Sequence, residues 1–141
     1  MARVKLQLPE KFIYSTELPV RISEINYGGH LGNDAVLSIA HEVRLNFLKS
    51  LGYTEMNIEN VGLIMSDAAI VYSAESFHGD TLKAELGISD ISKIGCDFIY
   101  RLTRKEDSKE IARLKTGIVF FDYKQRKVVE IPKVFLKKIS I

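Results

Sequence analysis

Between Asn33 and Leu51 the apolar residues Val36, Ile39, Ala40, Val43 and Phe47 recur at the spacing of one helical face. Leu37, Leu48 and Leu51 widen that face to about half the circumference. Asn33 or Asp34 is the expected N-cap, and Gly52 is the expected stop. A helix this broadly apolar needs a cover larger than one other helix. Arg44 falls inside the apolar arc, where a charge must find an internal partner or reach water along its stem; an internal ion pair is the expectation. Glu42 falls on the narrower polar side with Ser38, Asn46 and Lys49.

The cover is written in strands. Thr16 to Ile25 alternates apolar and polar residues and contains Pro19, which cannot donate to a ladder, so this strand belongs at an edge. Four further runs follow the helix: Leu63 to Glu75, Thr81 to Ile91, Cys96 to Thr103 and Ile111 to Asp122. Their apolar residues alternate, as in Leu82, Ala84, Leu86 and Ile88. Gly79-Asp80, Ser92 to Gly95 and Lys105 to Lys109 are short enough to join antiparallel neighbours, which predicts a meander without crossover helices. A short helix is predicted over Pro132 to Lys138. One long helix against an antiparallel sheet with one apolar face predicts an α+β architecture in which the sheet curls around the helix.

Composition narrows the class. The chain has 141 residues, of which 46% are apolar and 27% charged, so residues 1–141 are read as a single domain with a core that needs no staples. Its one cysteine, Cys96, alternates with Phe98 and Tyr100 and is read as a core thiol; no metal-ligand spacing surrounds it. His41 and His78 are read as surface residues. No apolar run is long enough to span a bilayer and no signal-peptide pattern opens the chain, so a cytoplasmic location is the expectation. Tyr123 to Ile141 carries six Lys/Arg against one Glu, too few basic and aromatic residues for a nucleic-acid site. No cofactor is expected.

The segment with chemical content is Asn26-Tyr27-Gly28-Gly29-His30-Leu31-Gly32-Asn33-Asp34, a glycine-rich loop directly before the helix. Backbone N–H groups of Gly29, His30 and Leu31 could point together at an incoming oxygen, reinforced by the helix dipole. Gly29-His30-Leu31, then Asn33, then Glu42-Val43-Arg44 and Leu51-Gly52 resemble the hotdog-fold thioesterases of the 4-hydroxybenzoyl-CoA type. The similarity in element order covers roughly residues 16 to 140. The resemblance implies a hotdog fold and hydrolysis of an acyl-CoA or acyl-carrier thioester; a single curved sheet leaves an edge and an apolar rim, so a homodimer or homotetramer is the expectation. The resemblance also implies a helix-N-terminal oxyanion hole near Gly29 and His30, a water positioned by His30 or Asn26, and a carboxylate that activates it.

The chain departs from that family at Asn26, where many members place an aspartate four residues before the histidine. An amide cannot act as base or nucleophile, though it can orient a water or a carbonyl. The resemblance then points to Glu42 as the carboxylate, with Asp34 second, and to Lys93 as a contact for the CoA phosphates. Each residue has a plainer reading. His30 can orient the loop, Gly28 and Gly29 can serve positive φ, Glu42 can pair with Asn46 or Lys49, and Lys93 can be a solvated loop lysine. Asn26 also suits a non-catalytic acyl-thioester binding protein, and a hotdog dehydratase is a third reading.

Overall fold

The computed structural model describes residues 3–140; Met1, Ala2 and Ile141 of the expected domain lie outside the described residues. Element order is β1 (Tyr14–Pro19), a 3-10 turn (Ile22–Glu24), α1 (Asn33–Ser50), β2 (Gly62–Tyr72), β3 (Thr81–Ser89), β4 (Gly95–Arg104), β5 (Glu110–Asp122), β6 (Lys127–Val128) and α2 (Lys133–Ile139). The strands form one antiparallel sheet in the order β1-β3-β4-β5-β2, with β6 added to the end of β5. Among the described residues no helix is long and apolar enough to cross a membrane.

The alternation read from the sequence is the sheet's inner face. Leu82, Ala84 and Leu86 of β3, Phe98, Tyr100 and Leu102 of β4, and Leu114, Ile118 and Phe120 of β5 are buried with Val36, Ile39, Ala40, Val43 and Phe47 of α1 in one cluster. Phe47 meets Phe98 edge-on at 5.8 Å between ring centroids, a preferred aromatic geometry. This is the hotdog fold. Phe135 of α2 closes the cluster against Phe120 and Tyr53.

Three local expectations are corrected. The first strand ends at Pro19, because the chain turns through Ile22–Glu24, where the Arg21 N–H donates to the Glu24 carboxylate. Gly32 rather than Asn33 or Asp34 is the N-cap, and no side chain caps the helix. The meander holds only for β3-β4-β5: β2 pairs with β5 alone, three positions from β3. Residues 73–80 therefore cross from one side of the sheet to the other. They are anchored where Ser73 and Ala74 N–H groups donate to the Ile111 carbonyl and Gly79 N–H to Val20. Short connections keep β3, β4 and β5 adjacent, whereas the 73–80 crossing lets β2 pair with β5 at the far edge.

The outer face carries an N-terminal arm that periodicity did not reveal. Ile13 N–H donates to Leu86, Arg113 donates to the Leu6 carbonyl, and the Arg101 guanidinium sits 5.0 Å over the Phe12 ring. A Cβ at Gly87 would lie 2.5 Å from Pro9, so the arm's close approach requires glycine in β3.

Candidate active site

The Asn26–Gly32 loop is closed on itself. Asn26 N–H donates to the His30 carbonyl at 2.8 Å, and Gly29 N–H to the Asn26 carbonyl at 3.1 Å. The Asn26 side-chain Oδ1 accepts the N–H of Gly28 at 2.9 Å and of His30 at 3.3 Å. Gly29 takes φ +84°, the left-handed conformation that the turn requires. Leu31 N–H donates to Ser76 and Gly32 N–H to Glu24. The Gly29, His30 and Leu31 amides thus do not converge on an open site as the sequence suggested. Each already has an acceptor, because a short polar side chain at Asn26 and the crossing segment both reach the loop.

The donors left over are different ones. With Oδ1 facing two N–H groups, the Asn26 amide is fixed so that its Nδ2 carries the outward hydrogens. The first-turn N–H groups of Asn33, Asp34 and Ala35 also have no acceptor among the described residues. Asn26, His30 and Asn33 line a cavity of about 340 Å³ together with Tyr72 and Glu75, against an apolar wall of Leu31, Val36, Ala74 and Ile111. We call it the crossover cavity, since residues 73–80 form one side. His30 Nδ1 lies 3.3 Å from the Leu31 carbonyl, which can only accept; the neutral ring that makes this hydrogen bond has its proton on Nδ1 and its lone pair on Nε2. Nε2 is 4.0 Å from Glu75 Oε1. Tyr72 closes the edge, its hydroxyl donating to the Asn33 carbonyl at 2.9 Å; burial, then the nearby Asp34 charge, push its phenol up and keep it neutral.

A second cavity, of about 550 Å³, lies between α1 and the middle of β2 and is lined by Asp34, His41, Arg44, Glu55, Ser66 and Thr116 among others. Its floor is the expected internal ion pair. Arg44, only 5% exposed, donates from Nε to Glu55 Oε1 at 2.9 Å and from Nη1 to the Tyr100 hydroxyl at 3.3 Å. Tyr100 stands 2.8 Å from Thr116 Oγ1, and burial holds its phenol neutral despite the cation beside it. His41 Nε2 stands 3.2 Å from the same Glu55 oxygen. No buried side-chain polar atom among the described residues lacks a partner.

Of the residues singled out by sequence, Asn26, Gly29 and His30 come together, with Gly29 serving the turn. Glu42 lies apart: it lines neither cavity and makes no hydrogen bond or ion pair among the described residues. Asp34 lines the arginine cavity instead. Lys93 is an exposed loop lysine paired with Glu130 at 3.2 Å. Cys96 is buried, and burial pushes its thiol up to about 12, which removes it as a nucleophile. Glu75 was missed because it reads as the end of an alternating strand; its exit from the sheet after Tyr72 is a tertiary fact.

Solved structures share this fold. A 1,4-dihydroxy-2-naphthoyl-CoA thioesterase from Synechocystis superposes with a TM-score of 0.81 at 23% identity, covering 89% of this chain and 94% of that one. A Staphylococcus aureus protein solved in complex with CoA gives 0.81 at 19% identity, covering 96% and 85%. A DHNA-CoA thioesterase from Staphylococcus aureus gives 0.76 at 16% identity, covering 88% and 84%. No curated protein matches the sequence. The sequence pattern of the thioesterase-like superfamily matches residues 20–139, from the end of β1 through α2, and the chain belongs to that family.

Proposed function

We propose that this protein hydrolyses an acyl-CoA thioester in the crossover cavity. The observation that carries the reading is the set of residues gathered there with polar groups free among the described residues: Asn26 with its amide N–H, His30 with its Nε2, and Asn33, whose N–H belongs to the positive end of α1. The two donor groups suit the oxygen of a thioester carbonyl, on which negative charge develops during attack. The apolar wall suits the acyl group. CoA as carrier is supported by the Staphylococcus aureus relative of the same fold, which was solved with CoA.

A second copy of the chain fits the same reading. β2 is an edge strand whose outer side is unpaired among the described residues, and Ile64 and Met65 on it are exposed, as are Leu37 and Leu45 on α1. An isologous dimer would cover that edge and those side chains. Glu42 can serve the cavity only from such a copy. Lys93 would contact CoA phosphates only by releasing Glu130.

Release of free CoA from short, long and aromatic acyl-CoAs, compared between wild type and Glu42→Ala, tests the reading. Turnover by wild type on at least one thioester is the expected result. Unchanged turnover in Glu42→Ala removes that residue from the mechanism. Binding of the thioesters without turnover favours the non-catalytic binding protein, for which Asn26 in place of an aspartate speaks.

A further inference from the structure

Hydrolysis needs a group that takes a proton from water, and Asn26 cannot supply it. Among the described residues, one carboxylate lines the crossover cavity, that of Glu75. Its main chain is fixed on both sides: Arg104 donates to the Glu75 carbonyl at 2.9 Å, and the next residue, Ser76, accepts Leu31 N–H at 2.7 Å and donates to Asp80 at 2.8 Å. Its side chain, by contrast, is 64% exposed and makes no hydrogen bond among the described residues. The backbone is therefore fixed at the cavity rim, and the solvent-facing carboxylate has both oxygens available.

The spacing to His30 is the second observation. At 4.0 Å, Glu75 Oε1 and His30 Nε2 are too far apart for a direct bond and at a separation that a bridging water spans. With the proton on Nδ1, both atoms are acceptors, so one water can donate one hydrogen to each. That leaves its lone pairs for attack. We infer that Glu75 is the general base of this site and that His30 is the positioning residue that aligns the attacking water. The inference rests on the thioesterase reading and adds the residue that performs its proton transfer.

The step balances as follows. The water oxygen bonds to the thioester carbonyl carbon, the carbonyl π pair moves onto oxygen, and the water proton passes to Glu75. The oxyanion so formed lies by the Asn26 Nδ2–H and the Asn33 N–H. As the carbonyl re-forms, the C–S bond breaks and the departing thiolate takes the proton from Glu75, giving a carboxylic acid and free thiol and restoring the carboxylate.

The test is the rate of CoA release by wild type, Glu75→Gln, His30→Gln, the double variant and Glu42→Gln, each with its melting temperature. Glu75→Gln is expected to lose about 100-fold or more in kcat, in the range of lost general-base catalysis, with KM and melting temperature little changed. The double variant is expected to fall scarcely below Glu75→Gln, since both residues hold one water. If wild type is active and Glu75→Gln keeps its rate within about threefold, the inference is overturned. A large loss confined to Glu42→Gln would transfer the role to the helix. Absence of hydrolysis by wild type on every thioester would overturn the thioesterase reading itself, and the base with it.

Discussion

Two cavities flank α1, and they use the same residue types in opposite ways. The arginine cavity holds a cation, a carboxylate, a histidine, a tyrosine and a threonine, and these groups face one another: Arg44 to Glu55 and Tyr100, Tyr100 to Thr116, His41 to Glu55. The crossover cavity holds an amide, a histidine and a carboxylate whose backbones are tied down, while Nδ2 of Asn26, Nε2 of His30 and the Glu75 oxygens have no direct hydrogen-bond partner among the described residues. A polar network whose members satisfy each other stabilises and specifies the packing. One whose members remain open can act on a ligand. A charged residue in a cavity is thus poor evidence of chemistry until its partners are counted.

The sharpest way to break this contrast is to exchange the effects. Arg44→Ala removes the buried cation that Glu55 and the Tyr100 hydroxyl share and leaves them only His41 and Thr116, so we expect a loss of about 3–5 kcal/mol in unfolding free energy by denaturant titration. CoA release per folded molecule should remain near wild type. A stable Arg44→Ala protein that had lost turnover would place the chemistry in the wrong cavity.

Asp80 tests whether the crossing segment is the frame of the site. Burial alone would raise its pKa, but the Phe77 N–H, the Ser76 hydroxyl and the Arg104 guanidinium outweigh burial and hold it below the usual carboxylate range. Because the folded value is the lower one, Asp80 contributes its full stability above the unfolded carboxylate value. That contribution is lost as pH falls through the depressed folded value. Asp80→Asn is expected to cost about 1–3 kcal/mol near neutrality and to flatten the acid side of the stability curve. Melting temperatures of both proteins across the acid range check the slope, and an unchanged slope would mean that Asp80 does not anchor the segment.

The sequence announced the parts of this molecule that depend on local periodicity. The arc of α1 and the alternation of β3, β4 and β5 were legible because burial repeats at the helical or strand interval. So was the fate of Arg44, since a guanidinium in an apolar arc has few options. What could not be read depends on segments meeting from afar. The pairing of β2 with β5 carries residues 73–80 across the sheet, and only that path brings Glu75 to His30. The same path delivers the Ser76 carbonyl to Leu31 N–H, while Gly29 and His30 N–H groups are taken up within the loop by Asn26, so none of the three is open to a ligand. Asn26 was legible as the departure from the family pattern, but its orientation follows from the two amides that its oxygen accepts.

That orientation is the point on which the account turns, and Asn26→Asp isolates it. Aspartate retains an oxygen for the Gly28 and His30 N–H groups, so the loop should keep its shape and the melting temperature should hold. It removes the Nδ2 donor and sets a negative charge where the oxyanion forms. The rate of CoA release by Asn26→Asp should fall about 100- to 1000-fold, the scale of a lost oxyanion donor. A rate equal to or above wild type would contradict the account, because this position would then accept a carboxylate and Asn26 would not be the donor that holds the thioester.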